Sequence, residues 1–367
     1  MNHKKFLPGC GLLRVIAMGM IISEHVFSGT LGTTQFPESN RWLFLAAMGV
    51  SRYGVDLFAV ISGYLLYERE QRSTSFFMLF STIITYLLAI PLCLSHFSGE
   101  VNYLSIHNIL NIMKYEYWYV TAYIGMFFFI PFLNLVVRHA DGKSLSQFFL
   151  AVLVFAVLIP CFTRKDVFGF GMGNNAIFLM IMYCVGAVLK KYTSENSVPK
   201  WLGAWIGKRS LIAFAAVAVM LAIMINGVEF ITWKYTEAAR GLYPLCNNNS
   251  PFIIAGAIFL TLGLIRISNV PAWLLKTVKF IAPLTLGIYL IHNHPLFRKI
   301  FILRLSGIAT LTWYEALSAC VCLLIILYGV CAFIDYLRER LFQLLQLKKI
   351  YTFLLEWLNL TFRRSAI

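Results

Sequence analysis

The chain alternates long apolar runs with short polar breaks, and a bilayer-crossing helix needs about 20 predominantly apolar residues, which the runs supply. Runs within 10–28, 50–67, 76–95, 117–137, 145–162, 174–190, 210–226, 251–267, 280–301 and 315–335 predict about ten spans. The breaks between them hold at most 24 residues, too few for a core of their own. The expected fold class is all-α, a polytopic membrane helix bundle whose transmembrane domain covers 1–335. Residues 336–367 interleave Leu337, Leu341, Phe353 and Trp357 with Arg338, Arg340, Lys348, Lys349, Arg363 and Arg364. That pattern predicts a basic amphipathic tail lying on the cytoplasmic leaflet.

Composition sharpens this picture. Hydrophobic residues make up 59% of the chain and charged residues 13%, a balance outside the range of soluble domains. The net charge of +15 comes with no basic stripe interleaved with aromatics, so membrane lipids rather than nucleic acid are the expected partners. With the N-terminus in the cytoplasm, most Lys and Arg fall on that side, so the positive-inside rule predicts both termini there. Lys4 and Lys5 ahead of an apolar run imitate a signal peptide. Arg14, Glu24 and His25 interrupt that run and no A-x-A site follows it, so the first helix is expected to remain uncleaved. The eight cysteines show neither C-x-x-C pairs nor zinc-ligand spacing, and no metal is expected. Gly169, Gly171 and Gly173 follow no strand; they predict turn chemistry rather than a phosphate cradle.

Ionisable residues inside the spans are costly in hydrocarbon and mark functional faces. Arg14 and His25 are eleven residues apart on the first span, which puts them on one helix face about 16 Å apart. Counted along their spans, His25, Asp56 and His292 all fall in the outer half of the bilayer, so three helices can bring them together. A core histidine, an Arg52–Asp56 helical pair and a helix exit at His294-Pro295 are the plain structural alternatives for the three. Arg69 and Arg72 follow the second span at its cytoplasmic mouth, where topology alone would place them and where arginine forks also suit phosphate. Trp118 and Tyr119 open the fourth span at the depth of an aromatic belt, with sugar stacking as the functional counterpart. The 233–249 segment, including Asn247, is rich in aromatic and amide groups suited to hydroxylated ligands.

Taken together these residues resemble acyltransferase family 3, a family of membrane O-acyltransferases. The resemblance rests on Arg14 and His25, on Gly54-Val55-Asp56-Leu57-Phe58 through Ser62-Gly63-Tyr64-Leu65, on Tyr117-Trp118-Tyr119, and on Leu286-Gly287-Ile288-Tyr289-Leu290-Ile291-His292. It implies an acyl-CoA donor, most often acetyl-CoA, taken from the cytoplasm, and an acceptor hydroxyl on a lipid-linked or surface polysaccharide sugar such as an O-antigen-type glycan. A bacterial inner membrane is the implied location. On this reading His25 is the general base or transient acyl carrier, with Asp56 or Glu24 orienting its imidazole. Arg14, Arg69 and Arg72 would hold the donor's phosphates, and Trp118, His292 and Asn247 the acceptor. The rival reading is a proton-coupled transporter or exporter of a glycan or small metabolite, with the same charges forming a proton relay.

Overall fold

Pro8 opens the first helix, α1 (Pro8–Leu31), at the position where its missing N–H costs nothing, and a largely apolar run broken only by Arg14, Glu24 and His25 carries the helix across the bundle. The structure is a computed structural model that describes residues 6–31, 38–69, 73–98, 105–194, 200–236, 245, 247–299, 308 and 311–365. Among these residues every element is helical, and nine helical stretches are long and apolar enough to cross a membrane. A shorter apolar helix, Pro251–Leu264, accompanies them.

The second span differs from expectation. It starts at Trp42, well before residue 50, as α2 (Glu38–Ser51) followed directly by α3 (Tyr53–Leu66). The polar Ser51-Arg52 pair masks this continuity in the hydropathy pattern. Ser51 Oγ satisfies itself on the Ala47 carbonyl at 2.7 Å, and Arg52 keeps helical dihedrals, so the chain crosses the break without leaving the helix.

α4 (Ser73–Ser98) and α5 (Ile106–Asn111) lead into a π-helical turn, Ile112–Glu116, and then α6 (Trp118–His139). α7 (Gly142–Val152) and α8 (Ile159–Thr163) form one apolar stretch joined through a second π-helical segment, and α9 (Ala176–Ser194) returns beside α3. Two glycines make that crossing close. A Cβ on Gly63 would lie 1.9 Å from the Tyr183 carbonyl oxygen, and one on Gly186 would lie 1.9 Å from that of Val60. Such backbone approach is how membrane helices gain packing where water supplies no driving force. Lys191 on α9 then donates to the last carbonyls of α6, at Val137, Arg138 and Ala140, within 2.9–3.2 Å.

α10 (Lys200–Trp205), α11 (Lys208–Thr236) and α12 (Pro251–Leu264) pack behind α2 and α3. The ninth expected span runs from Ala272 to His292 instead of 280–301: α13 (Ala272–Ile281), a 3₁₀ turn at Ala282–Leu284, and α14 (Thr285–His292). Pro283 has no N–H to continue the α-ladder, so the helix tightens there, and both α13 and α14 pack against α1. α15 (Trp313–Leu344) is held at its start by the Thr312–Glu315 capping box. It continues through the anticipated tail boundary at 336, and a left-handed Gln346 then turns the chain into α16 (Leu347–Ser365). α16 lies against α4, with the Tyr351 and Ser81 hydroxyls 2.6 Å apart.

Candidate active site

His25 lies on α1 where α14 ends beside it, and its Nδ1 is 3.0 Å from Nε2 of His292. The other ring nitrogen of His292, Nδ1, donates to the Ile288 carbonyl at 2.6 Å. A carbonyl can only accept, so His292 carries its proton on Nδ1 and accepts on Nε2. His25 must therefore donate from Nδ1, which leaves the lone pair on its Nε2. Glu24 Oε2 is 3.4 Å from that nitrogen, and Arg52 holds the other Glu24 oxygen at 3.4 Å. A proton arriving on Nε2 would thus meet a carboxylate.

α14 is fixed on every side. Gly287 faces Asp335 of α15 so closely that a Cβ would lie 1.8 Å from its Oδ1. That buried carboxylate takes a fork from Arg338 at 2.7 and 2.9 Å and a bond from the Tyr86 hydroxyl at 2.7 Å. Beyond the helix, Tyr117 donates to the Leu290 carbonyl and Asn293 to the Glu116 carbonyl, while Tyr289 donates to that same Glu116 carbonyl at 3.2 Å. The π-helical turn at Ile112–Glu116 is what turns this carbonyl toward α14, and the Glu116 side chain pairs with Arg298 at 2.7 Å.

Three cavities follow one another through the bundle. The first, about 110 Å³, is lined by Glu24, His25, Arg52, Trp118, Asn174 and Asn248. The second, about 190 Å³ and mostly apolar, shares Ile21, Tyr119 and Tyr289 with the first. It shares Arg14 and Ala282 with the third, about 450 Å³, which Arg69, Lys190, Glu68 and Cys10 also line. Arg14 and His25 therefore face one interrupted passage.

Of the anticipated residues, His25, Glu24, His292 and Trp118 come together, and Arg14 joins Arg69 at the far end. Arg72 lies outside the described residues. Asp56 does not reach His25: it is wholly buried in α3, and neither carboxylate oxygen has a hydrogen-bond partner among the described residues. The His25 imidazole is instead held by His292 at its Nδ1, where α14 ends beside α1, and Glu24 lies 3.4 Å from its Nε2. Asn247 is buried outside the first cavity, and its neighbour Asn248 lines it instead. The glycine cluster explains the shift. Gly171 and Gly173 have φ of 62° and 88°, and Gly173 abuts the Asn248–Asn249 backbone, so Asn248 Nδ2 reaches Asn174 Oδ1 at 2.8 Å. Lys190, which sequence counting treated only as a topology signal, lines the Arg14 cavity and pairs with Glu68 at 3.5 Å. Among the described residues no group of three His, Cys, Asp or Glu side chains is placed to hold a metal ion.

A profile of acyltransferase family 3, described as an acyltransferase domain, matches residues 9–336, which takes in every helix that lines the three cavities. The chain belongs to this family. It is thus an acyltransferase with a multi-pass helical membrane domain, and the passage from Arg14 to His25 runs through the matched region. No curated protein and no solved structure shows a significant match to this acyltransferase.

Proposed function

We propose that this acyltransferase moves an acetyl group from cytoplasmic acetyl-CoA to a hydroxyl of a lipid-linked or surface polysaccharide sugar, across a bacterial inner membrane. The observation that carries this reading is the shared lining of the three cavities: Arg14 belongs to two of them, and Tyr119 and Tyr289 connect the middle one to His25. A cationic mouth formed by Arg14, Arg69 and Lys190 suits the phosphates of a nucleotide. An apolar middle section suits a pantetheine arm and excludes water from the thioester. The His25 end, with Trp118, Asn174 and Asn248, offers one aromatic face and two amides, a set fitted to a sugar ring and its hydroxyls.

In this mechanism His25 Nε2 removes the proton of the acceptor hydroxyl as its oxygen attacks the thioester carbonyl. His292 holds the imidazole in the required tautomer and Glu24 stabilises the imidazolium. The membrane orientation assumed here, with the Arg14 end in the cytoplasm, follows the excess of Lys and Arg on that side.

The test supplies membranes with radiolabelled acetyl-CoA and polysaccharide extracted from cells lacking the protein, comparing wild type, His25→Ala and Arg14→Ala at equal expression. Labelled polysaccharide from wild type, with His25→Ala near background and Arg14→Ala requiring more acetyl-CoA, is the expected result. Equal label in all three overturns the reading, and glycan movement without acetyl-CoA would favour a transporter.

A further inference from the structure

Tyr119 and Tyr289 line both the His25 cavity and the middle cavity, their rings edge to face at 6.0 Å. They form the sill over which a thioester must pass to meet His25. Their hydroxyls differ in one respect. That of Tyr289 is engaged: it donates to the Glu116 carbonyl and accepts from Asn293 Nδ2 at 3.2 Å. That of Tyr119 is buried and has no hydrogen-bond partner among the described residues. A buried donor left unmade carries a free-energy cost that a folded protein rarely tolerates without reason. Tyr53, Ser210 and Ser250 also have buried hydroxyls unpartnered among the described residues, but none of them lines any of the three cavities. Ser51, which shares the His25 cavity, has its hydroxyl proton committed to the Ala47 carbonyl.

We infer that Tyr119 is a catalytic residue whose phenolic O–H stabilises the oxyanion of the acyl-transfer step, an inference that rests on the acyl-CoA reading above. The acceptor oxygen forms a bond to the thioester carbonyl carbon while His25 Nε2 takes the hydroxyl proton. The carbonyl π pair moves onto oxygen, and the Tyr119 O–H donates to that oxyanion without transferring its proton. The π bond then re-forms, the carbon–sulfur bond breaks, and the departing thiolate takes the proton from the His25 imidazolium. Ester and free CoA thiol result, and His25 is neutral again. A donor waiting in a closed, low-dielectric wall needs no reorganisation when charge develops, which is where such a bond contributes most.

The test uses purified full-length protein with acetyl-CoA and polysaccharide extracted from cells lacking it. Tyr119→Phe should lower kcat by about 10²-fold while leaving the KM for acetyl-CoA unchanged, since the bond forms only as the carbonyl becomes an oxyanion. Replacing Tyr119 with fluorotyrosines of graded acidity should change kcat in step with phenol acidity, a trend that ring packing alone would not produce. Wild-type turnover in Tyr119→Phe overturns the inference. If Tyr119→Phe does not fold, a kcat indifferent to fluorination overturns it. Loss of activity in His25→Ala alongside full activity in Tyr119→Phe would remove Tyr119 and keep the acyl-CoA reading; full activity in both would remove the reading itself.

Discussion

His25 and His292 stand 267 positions apart in the chain and share a 3.0 Å hydrogen bond, with the Ile288 carbonyl fixing the direction in which it runs. Removing the acceptor releases the His25 imidazole to rotate or change tautomer. His292→Leu should therefore lower kcat by about 10²-fold with little effect on the KM for acetyl-CoA, whereas His292→Gln, whose amide oxygen can accept the same bond, should keep part of the rate. Initial rates on purified protein decide the matter. Wild-type kcat in His292→Leu would reduce the bond to packing.

Glu24 lies 3.4 Å from the His25 nitrogen that would receive the acceptor's proton. Glu24→Gln keeps the shape and removes the charge. A partly exposed pair at this separation supports a kcat loss of about 10- to 100-fold, without a change in protein folding as judged by thermal midpoint. A normal kcat would mean that imidazolium formation does not draw on this carboxylate.

Gly287→Ala should destabilise the protein by about 1–3 kcal/mol, because the added Cβ would lie 1.8 Å from an Asp335 oxygen that Arg338 and Tyr86 hold in place. Gly329→Ala, where an added Cβ would meet no other described residue within 4 Å, is the control and should leave the thermal midpoint unchanged or raise it. Equal midpoints for the two variants would show that α14 and α15 can slide apart at no cost.

Asp56→Leu should fold at least as stably as wild type. The carboxyl is fully buried with both oxygens unpartnered among the described residues, and replacing a buried unsatisfied group by an apolar one of similar size relieves about 1–3 kcal/mol. The pH–rate profile should match wild type in shape, since Asp56 makes no bond to His25. A large drop in thermal midpoint would contradict the first expectation, and a displaced profile the second.

Asp141 caps α7 by accepting from the Ser144 N–H at 2.9 Å, and hydrogen bonding to the Ser144 hydroxyl, with this N–H bond second, holds its carboxyl below the ordinary value of 3.8. A carboxylate depressed in the folded state stabilises at pH above the unfolded value and loses that contribution as pH falls through the folded one. The thermal midpoint of Asp141→Ala should lie below wild type at pH 7, and the gap should narrow as the pH is lowered past 3.8. A gap of constant size would place the effect in helix packing rather than in the ionised cap.

Hydropathy and ionisable residues in the apolar runs made much of the candidate site legible. Arg14, Glu24, His25, His292 and Trp118 stand out because each is expensive or amphipathic at its depth, and depth along a helix can be counted from sequence. Rotation about a helix axis relative to a distant neighbour cannot. Asp56 and His292 have similar depths, yet only the second meets His25, and Gly287 lets α14 seat against Asp335 to bring it there. Lys190 escaped for a related reason, since a lysine at a helix end looks like solvated surface until a cavity forms beside it, and the 233–249 segment could be marked only as a whole because a glycine turn decides which of its amides reaches the cavity.

By itself the sequence determined an all-helical, membrane-embedded chain with a cation and an imidazole three turns apart on its first helix, because bilayer thickness and the 3.6-residue period act on each segment locally. Assembly of the bundle sets the tautomer of His25 through His292, leaves the Tyr119 hydroxyl without a partner among the described residues, and lines up two adjoining cavities from Arg14 to His25 with a third on the far side of Arg14. Those outcomes depend on the relative rotation and close approach of helices hundreds of residues apart, which side-chain size and backbone contact fix only once the bundle is assembled.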